Sequence, residues 1–110
     1  MELTAEQQLA IIKDASLLAM NSLPPNFFRA NGGHKDRMRE LESLKFQLNG
    51  VVDPELTKLS SDVKESIELV VKYLRTNKEK FRKQALRQSD DVFAEIIKVS
   101  ECIGGRLIWP

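Results

Sequence analysis

The chain has 110 residues, of which 42% are hydrophobic and 30% are charged, and its formal net charge is +1. This length suits one domain with its own core (residues 1–110), and the apolar fraction argues against disorder. A charge this small gives no global reason to bind nucleic acid or an anionic membrane, so an electrostatic partner would have to recognise a local patch. The single cysteine, Cys102, excludes an internal disulfide and favours a reducing, cytoplasmic location.

The first helix is predicted over residues 4–22. Thr4 and Gln7 have the spacing of a capping box, and Pro24 ends the helix because proline cannot continue it. Lys13 and its acidic neighbour interrupt the apolar run, which indicates an amphipathic helix rather than a signal peptide or a membrane span. The expected buried stripe is Leu9, Ile12, Ala15/Ser16 and Ala19.

Two aromatic residues, Phe27 and Phe28, stand together in the irregular stretch that follows. Large apolar side chains are costly to leave in water, so we expect them to plug one end of the fold. The alternative is an exposed pair that inserts into a partner protein. Gly32-Gly33 then precede a helix, where free backbone N–H groups favour an anion, although a double glycine is more often an ordinary turn.

A second helix is predicted over residues 34–49, with Gly50 in the left-handed position at its C-terminal end. Its apolar stripe is narrow and its other faces carry mixed charges, which is typical of a solvated surface. The stripe consists of Met38, Leu41, Leu44/Lys45 and Leu48, with Phe46 to its side.

The tract from Asp53 to Ile103 carries one apolar seam at helical spacing. Asp53-Pro54 is a strong start signal, and Ser60-Ser61-Asp62 is a second possible start. A break is expected at Thr76-Asn77, where two poor helix formers precede a capping box of Thr76 with Glu79. The seam comprises Leu56, Leu59, Val63, Ile67, Val70, Leu74, Phe81, Ala85, Val92, Ile96, Val99 and Ile103.

With that break, helices near 4–22, 34–49, 54–75 and 77–103 predict an all-α, antiparallel (up-down) four-helix bundle with short connections. An unbroken tract would instead require a partner chain, so a homodimer is kept as an alternative. Gly104-Gly105 are expected to end the last helix. The apolar tail Leu107, Ile108 and Trp109 then either folds back on the bundle or binds a partner or a second copy.

The sequence contains no recognisable catalytic or metal-binding motif: it has one histidine, no HExxH, no paired cysteines and no EF-hand loop. Cys102 is expected to be a buried, inert thiol beside Ile103. We therefore expect neither enzymatic activity, nor a metal, nor a cofactor.

The strongest charge anomaly is the stretch Lys72–Arg87, which holds seven positive side chains against Glu79 alone, a local net charge of +6. A turn near Asn77 would gather these charges at one end of the bundle, as a solvated turn or as a contact for phosphates. The candidate anion-binding residues are Arg75, Lys78, Lys80, Arg82, Lys83 and Arg87, with Gly32 and Gly33.

Two functions are consistent with these patterns. The first is a small non-enzymatic protein-binding module (an adaptor, inhibitor or immunity-type protein) that acts by steric docking through Phe27, Phe28, Leu107, Ile108 and Trp109. The alternative is a binder of nucleic acid or phosphorylated ligands that uses the Lys72–Arg87 cluster and the Gly32-Gly33 helix N-terminus. No membrane partner is expected.

Overall fold

The computed structural model describes residues 3–24 and 33–108, with side chains described for 3–24 and 34–102. Four α-helices make up this part of the chain and follow one another up, down, up and down. They are α1 (Ala5–Asn21), α2 (Gly33–Gln47), α3 (Thr57–Thr76) and α4 (Glu79–Ile108), with a short 3-10 helix at Leu48–Gly50. The predicted all-α bundle is confirmed.

The start of α1 forms the predicted capping box. The Gln7 backbone N–H donates to Thr4 Oγ1 at 3.1 Å, and the Thr4 N–H donates to Gln7 Oε1 at 2.9 Å. These two bonds satisfy donors that the first turn of a helix leaves free. The helix ends at Asn21, before the two prolines, as the sequence indicates.

The C-terminal end of α2 differs from the prediction. The helix tightens into the 3-10 turn Leu48–Gly50 instead of ending on a left-handed glycine. The Val51 N–H donates to the Leu48 carbonyl at 3.1 Å, so this tighter bond replaces the expected cap.

The start of α3 lies between the two predicted positions. Asp53 forms a turn first: its Oδ1 accepts the Glu55 N–H at 2.9 Å, and its carbonyl accepts the N–H groups of Leu56 and Thr57. The continuous helix begins only at Thr57. Asp53 therefore caps the turn that leads into the helix rather than the helix itself.

The predicted break at Thr76-Asn77 is present. Asn77 adopts a left-handed conformation with φ 56° and ψ 26°, a region that asparagine tolerates better than most residues. The expected capping box does not form, since Thr76 Oγ1 donates to the Lys72 carbonyl at 2.7 Å and the Glu79 carboxylate pairs with Arg82. A left-handed cap thus ends α3 and reverses the chain.

The last helix continues beyond the predicted stop. Its backbone passes through Gly104-Gly105 to Ile108, for a total of 30 residues. Glycine inside a helix costs about 0.5–1 kcal/mol but leaves the hydrogen-bond ladder intact, so it weakens a helix without ending it. The expected stop at Ile103 is wrong for this reason.

The core confirms most of the predicted seam. Every seam residue from Leu56 to Leu74 is buried, as are Ala85, Val92 and Ile96, while Phe81 and Val99 are half-buried against them. The side chain of Ile103 lies outside the described residues. Because each fully buried large apolar side chain contributes about 1.5–3 kcal/mol, α3 is the energetic centre of the bundle.

Two polar contacts inside the bundle have no counterpart in the sequence analysis. Ser66 of α3 and Ser89 of α4 share a buried hydrogen bond at 3.2 Å. Gln8 of α1 is 3% exposed, and its Oε1 accepts the backbone N–H groups of Val52 at 2.9 Å and Asp53 at 3.0 Å. These bonds fix the register of the α3–α4 pair and tie α1 to the segment that precedes α3.

Candidate functional site

An apolar groove runs between α1 and α4. Its volume is about 410 Å³, and most of its lining is apolar. Leu17 of α1 is 47% exposed and Ile97 of α4 is 59% exposed, so two large aliphatic side chains remain in contact with water. The lining residues are Lys13, Leu17, Phe93, Ile96, Ile97, Ser100 and Glu101.

The groove follows from two pairs of apolar residues in α4, Val92-Phe93 and Ile96-Ile97. Successive residues of a helix point about 100° apart, so the members of a pair cannot face the same neighbour. Val92 and Ile96 are buried in the core, whereas Phe93 is half-buried and Ile97 is exposed. The predicted seam includes only the first member of each pair. The doubled apolar positions in the sequence indicate a second apolar face of α4.

Three polar residues are among the lining of this groove. Lys13 and Glu101 carry opposite charges on its rim. The hydroxyl oxygen of Ser100 is buried and has no hydrogen-bond partner among the described residues.

The second candidate surface is the basic end, which we define as the described residues 34–39 of α2 together with residues 72–87 of α3, the turn and α4. Arg75 of α3 lines a groove of about 680 Å³ together with Lys35 and Arg39 of α2. The first turns of α2 therefore lie beside the last turn of α3. Lys35 and Arg39 bring positive charge to this groove, and Glu42, which also lines it, brings a negative charge.

An aromatic ring lies at the centre of the basic end. The ammonium groups of Lys80 and Lys72 lie 5.0 Å and 5.9 Å from the centroid of the Phe81 ring. A cation over a ring face is attracted by the quadrupole of the ring, by about 0.5–1 kcal/mol at exposed sites. Phe81 thus belongs to the core seam and also positions two lysines.

Two positive side chains of the basic end are paired locally. In α2, the Arg39 guanidinium lies 3.8 Å from the Asp36 carboxylate, and both side chains are exposed. Arg82 forms an ion pair with Glu79, three residues before it in α4. This hydrogen bond from Arg82 lowers the pKa of the Glu79 carboxyl, and the charges of Arg82 and Lys83 act in the same direction. The same bond raises the pKa of Arg82. The predicted anion-binding role of Arg82 is therefore weakened, while Lys78, Lys80, Lys83 and Arg87 are exposed.

The remaining predicted site residues are distributed as follows. Phe27, Phe28, Gly32 and Trp109 lie outside the described residues. Gly33 is the first residue of α2, and Leu107 and Ile108 belong to the backbone of α4, but their side chains are not among those described. The predicted docking role of the two aromatic residues and of the tail stays a prediction.

Cys102 corrects an expectation, since its thiol is exposed rather than buried. Among the described side chains, no group of three or more His, Cys, Asp or Glu residues is placed to hold a metal ion. None of the described helices combines the length and apolarity needed to cross a bilayer.

Comparison of the chain with protein-family models, with curated protein sequences and with solved structures gave no match.

Proposed function

We propose that this small cytoplasmic chain is a non-enzymatic protein-binding module, of the adaptor, inhibitor or immunity type, that acts by steric docking. The supporting observation is the open apolar groove between α1 and α4, where Leu17 and Ile97 leave about half of their surface in water. A contiguous apolar groove on an otherwise charged surface is typical of a protein-interaction site.

The shape of the groove favours an amphipathic helix as the partner segment. Its α4 wall extends from Phe93 to Glu101, about two helical turns or 12 Å. A helix in such a groove is anchored by apolar residues at positions i, i+3 or i+4, and i+7. The opposite charges of Lys13 and Glu101 would pair with complementary charges on the bound helix, which favours one register of binding.

The energetics favour a reversible complex. Full burial of a leucine or isoleucine side chain contributes about 1.5–3 kcal/mol, so covering the exposed halves of Leu17 and Ile97 contributes about 1 kcal/mol each. Association itself costs several kcal/mol, which these two residues do not offset alone. The partner must therefore also contact Phe93 and the rim.

A capture experiment with matched variants tests the proposal. Full-length protein is immobilised and exposed to extract of its native cell, in parallel with Ile97→Asp and with Phe46→Asp. Phe46 is 76% exposed on α2, so it offers the same aspartate substitution on a surface away from the groove. We expect a defined protein to be retained by the unmodified chain and by Phe46→Asp, and to be lost with Ile97→Asp. Retention by all three forms would overturn the proposal.

Light scattering on the same three proteins separates a foreign partner from a second copy. The turn at Asn77 lets α3 and α4 bury the seam within one chain, so the fold itself does not require a dimer. We expect a molar mass near 12.5 kDa for all three forms. A dimer of the unmodified chain that Ile97→Asp converts to a monomer would assign the groove to self-association.

A further inference from the structure

We propose that the basic end binds the backbone phosphates of nucleic acid, independently of the α1–α4 groove. Positive side chains from three helices lie there: Lys35 and Arg39 from α2, Arg75 from α3, and Lys80 and Lys83 from α4. Two acidic side chains of α2 lie beside them, since Asp36 is paired with Arg39 and Glu42 lines the same groove. Phosphate contacts of this kind need charge and reach rather than a preformed cavity.

The charge of the α3–α4 pair changes sign sharply along its length. Residues 72–87 have a net charge of +6, whereas residues 53–71 and 88–101 together contain nine acidic and three basic side chains. A phosphate row is attracted at the basic end and repelled by the rest of the pair. The protein should therefore meet a nucleic acid end-on and contact few phosphates.

Two of the lysines are positioned before any ligand arrives. Since Lys72 Nζ and Lys80 Nζ lie 5.9 Å and 5.0 Å from the same Phe81 centroid, the two ammonium groups are at most about 11 Å apart. Holding flexible lysines near the ring lowers the entropy that binding has to remove.

The distribution of apolar residues favours nucleic acid over a membrane or a dry protein interface. Membrane-binding ends and protein hot spots need exposed apolar anchors. All the exposed large hydrophobic residues of the described chain lie outside the basic end. They are Leu3, Leu17, Phe46, Val52 and Ile97.

The test measures binding of a fluorescent duplex and of a single strand by anisotropy at about 50 mM salt. We expect binding that weakens as salt rises, with a slope of log K against log salt between about −2 and −5, since an end-on approach brings phosphates to only part of the seven positive side chains of residues 72–87. The double variant Lys80→Glu/Lys83→Glu should bind at least about tenfold more weakly.

The matched control is Lys58→Glu/Lys98→Glu, which makes the same charge change on the acidic part of the pair. It should stay within about threefold of the unmodified chain. Equal losses in the two double variants would overturn the proposal, because they would show a response to net charge alone. Absence of binding by the unmodified chain to both nucleic acids at low salt would also overturn it.

A gain-of-binding variant sharpens the test. Glu79→Gln removes the partner of Arg82, so it should raise affinity and make the salt slope steeper by about 1. Stronger binding to anionic vesicles or to polyglutamate than to either nucleic acid would reject nucleic acid as the ligand. Ile97→Asp should leave nucleic acid binding unchanged, so failure here and failure of the proposed docking function are distinguishable.

Discussion

The side of α4 that faces the core and the side that lines the α1–α4 groove differ in exposure, although neighbouring residues form them. In the pair Ile96-Ile97, the first residue is 5% exposed in the core and the second is 59% exposed in the groove beside α1. A helix with one apolar stripe needs one neighbour, whereas a helix with doubled apolar positions has surface for two. The bundle therefore buries most of the core side of α4 and leaves the other side available.

The largest expected effect on stability is in the buried core, on which the first side of α4 packs. Ile67→Ala removes a fully buried side chain at the centre of α3, so it should lower the free energy of unfolding by about 2–5 kcal/mol. Ile97→Ala, on the open side, should lower it by less than about 1 kcal/mol. Urea unfolding of both variants checks this. Comparable losses would mean that Ile97 contributes as much to stability as a core residue does.

A second prediction concerns how α1 is held against the segment that precedes α3. Gln8→Ala leaves the N–H groups of Val52 and Asp53 without the acceptor they have now, which should cost about 1–3 kcal/mol. Hydrogen exchange should increase in α1 more than in α3. Gln84→Ala, at an exposed position of α4, is the control and should leave both unchanged.

The third prediction addresses the polar contact inside the α3–α4 interface. Ser66→Ala should lower the free energy of unfolding by about 1 kcal/mol, because it leaves the buried Ser89 hydroxyl without its partner. Ser66→Ala/Ser89→Ala removes both hydroxyls and should recover most of the loss. Additive losses in this double-mutant cycle would show that the two hydroxyls do not interact.

The smallest effect is expected in the first turn of α4, where Glu79 pairs with Arg82. The pKa of Glu79 is lowered from 4.5 by Arg82, so its contribution to stability is present above pH 4.5 and is lost as pH falls through the lower folded value. The melting temperature of Glu79→Gln should be slightly below that of the unmodified chain at pH 7, and the difference should vanish in strong acid. A difference that grows in acid would contradict the pairing with Arg82.

The fold could be predicted because the local signals for helix starts and breaks agreed with the spacing of the apolar seam. Thr4 with Gln7 marked a start, Asn77 marked a break, and the spacing of the α3 seam admitted only a helical face. The errors arose where energies compete: Gly104-Gly105 weaken a helix without ending it, and the turn at Asp53 delays α3 by three residues. Such outcomes depend on differences near 1 kcal/mol that a pattern does not resolve.

Of the two candidate surfaces, the sequence predicted the basic end but not the α1–α4 groove. The basic end came from a local charge count, since residues 72–87 are contiguous along the chain. The groove required knowing that Leu17 lies beside Phe93 and Ile97, some 80 residues away along the chain. The contribution of Lys35 and Arg39 to the basic end was hidden for the same reason, because it arises from the antiparallel arrangement of α2 and α3.

We expect the side of α4 that lines the α1–α4 groove to contact a protein partner. Site-specific photo-crosslinking is the most direct test of this expectation. A photoreactive amino acid is placed at Ile97 in one protein and at Phe46 in another, and each is irradiated in its native cell. We predict a defined adduct with one foreign protein from position 97 and none from position 46. An adduct from position 46 with none from position 97 would contradict the account.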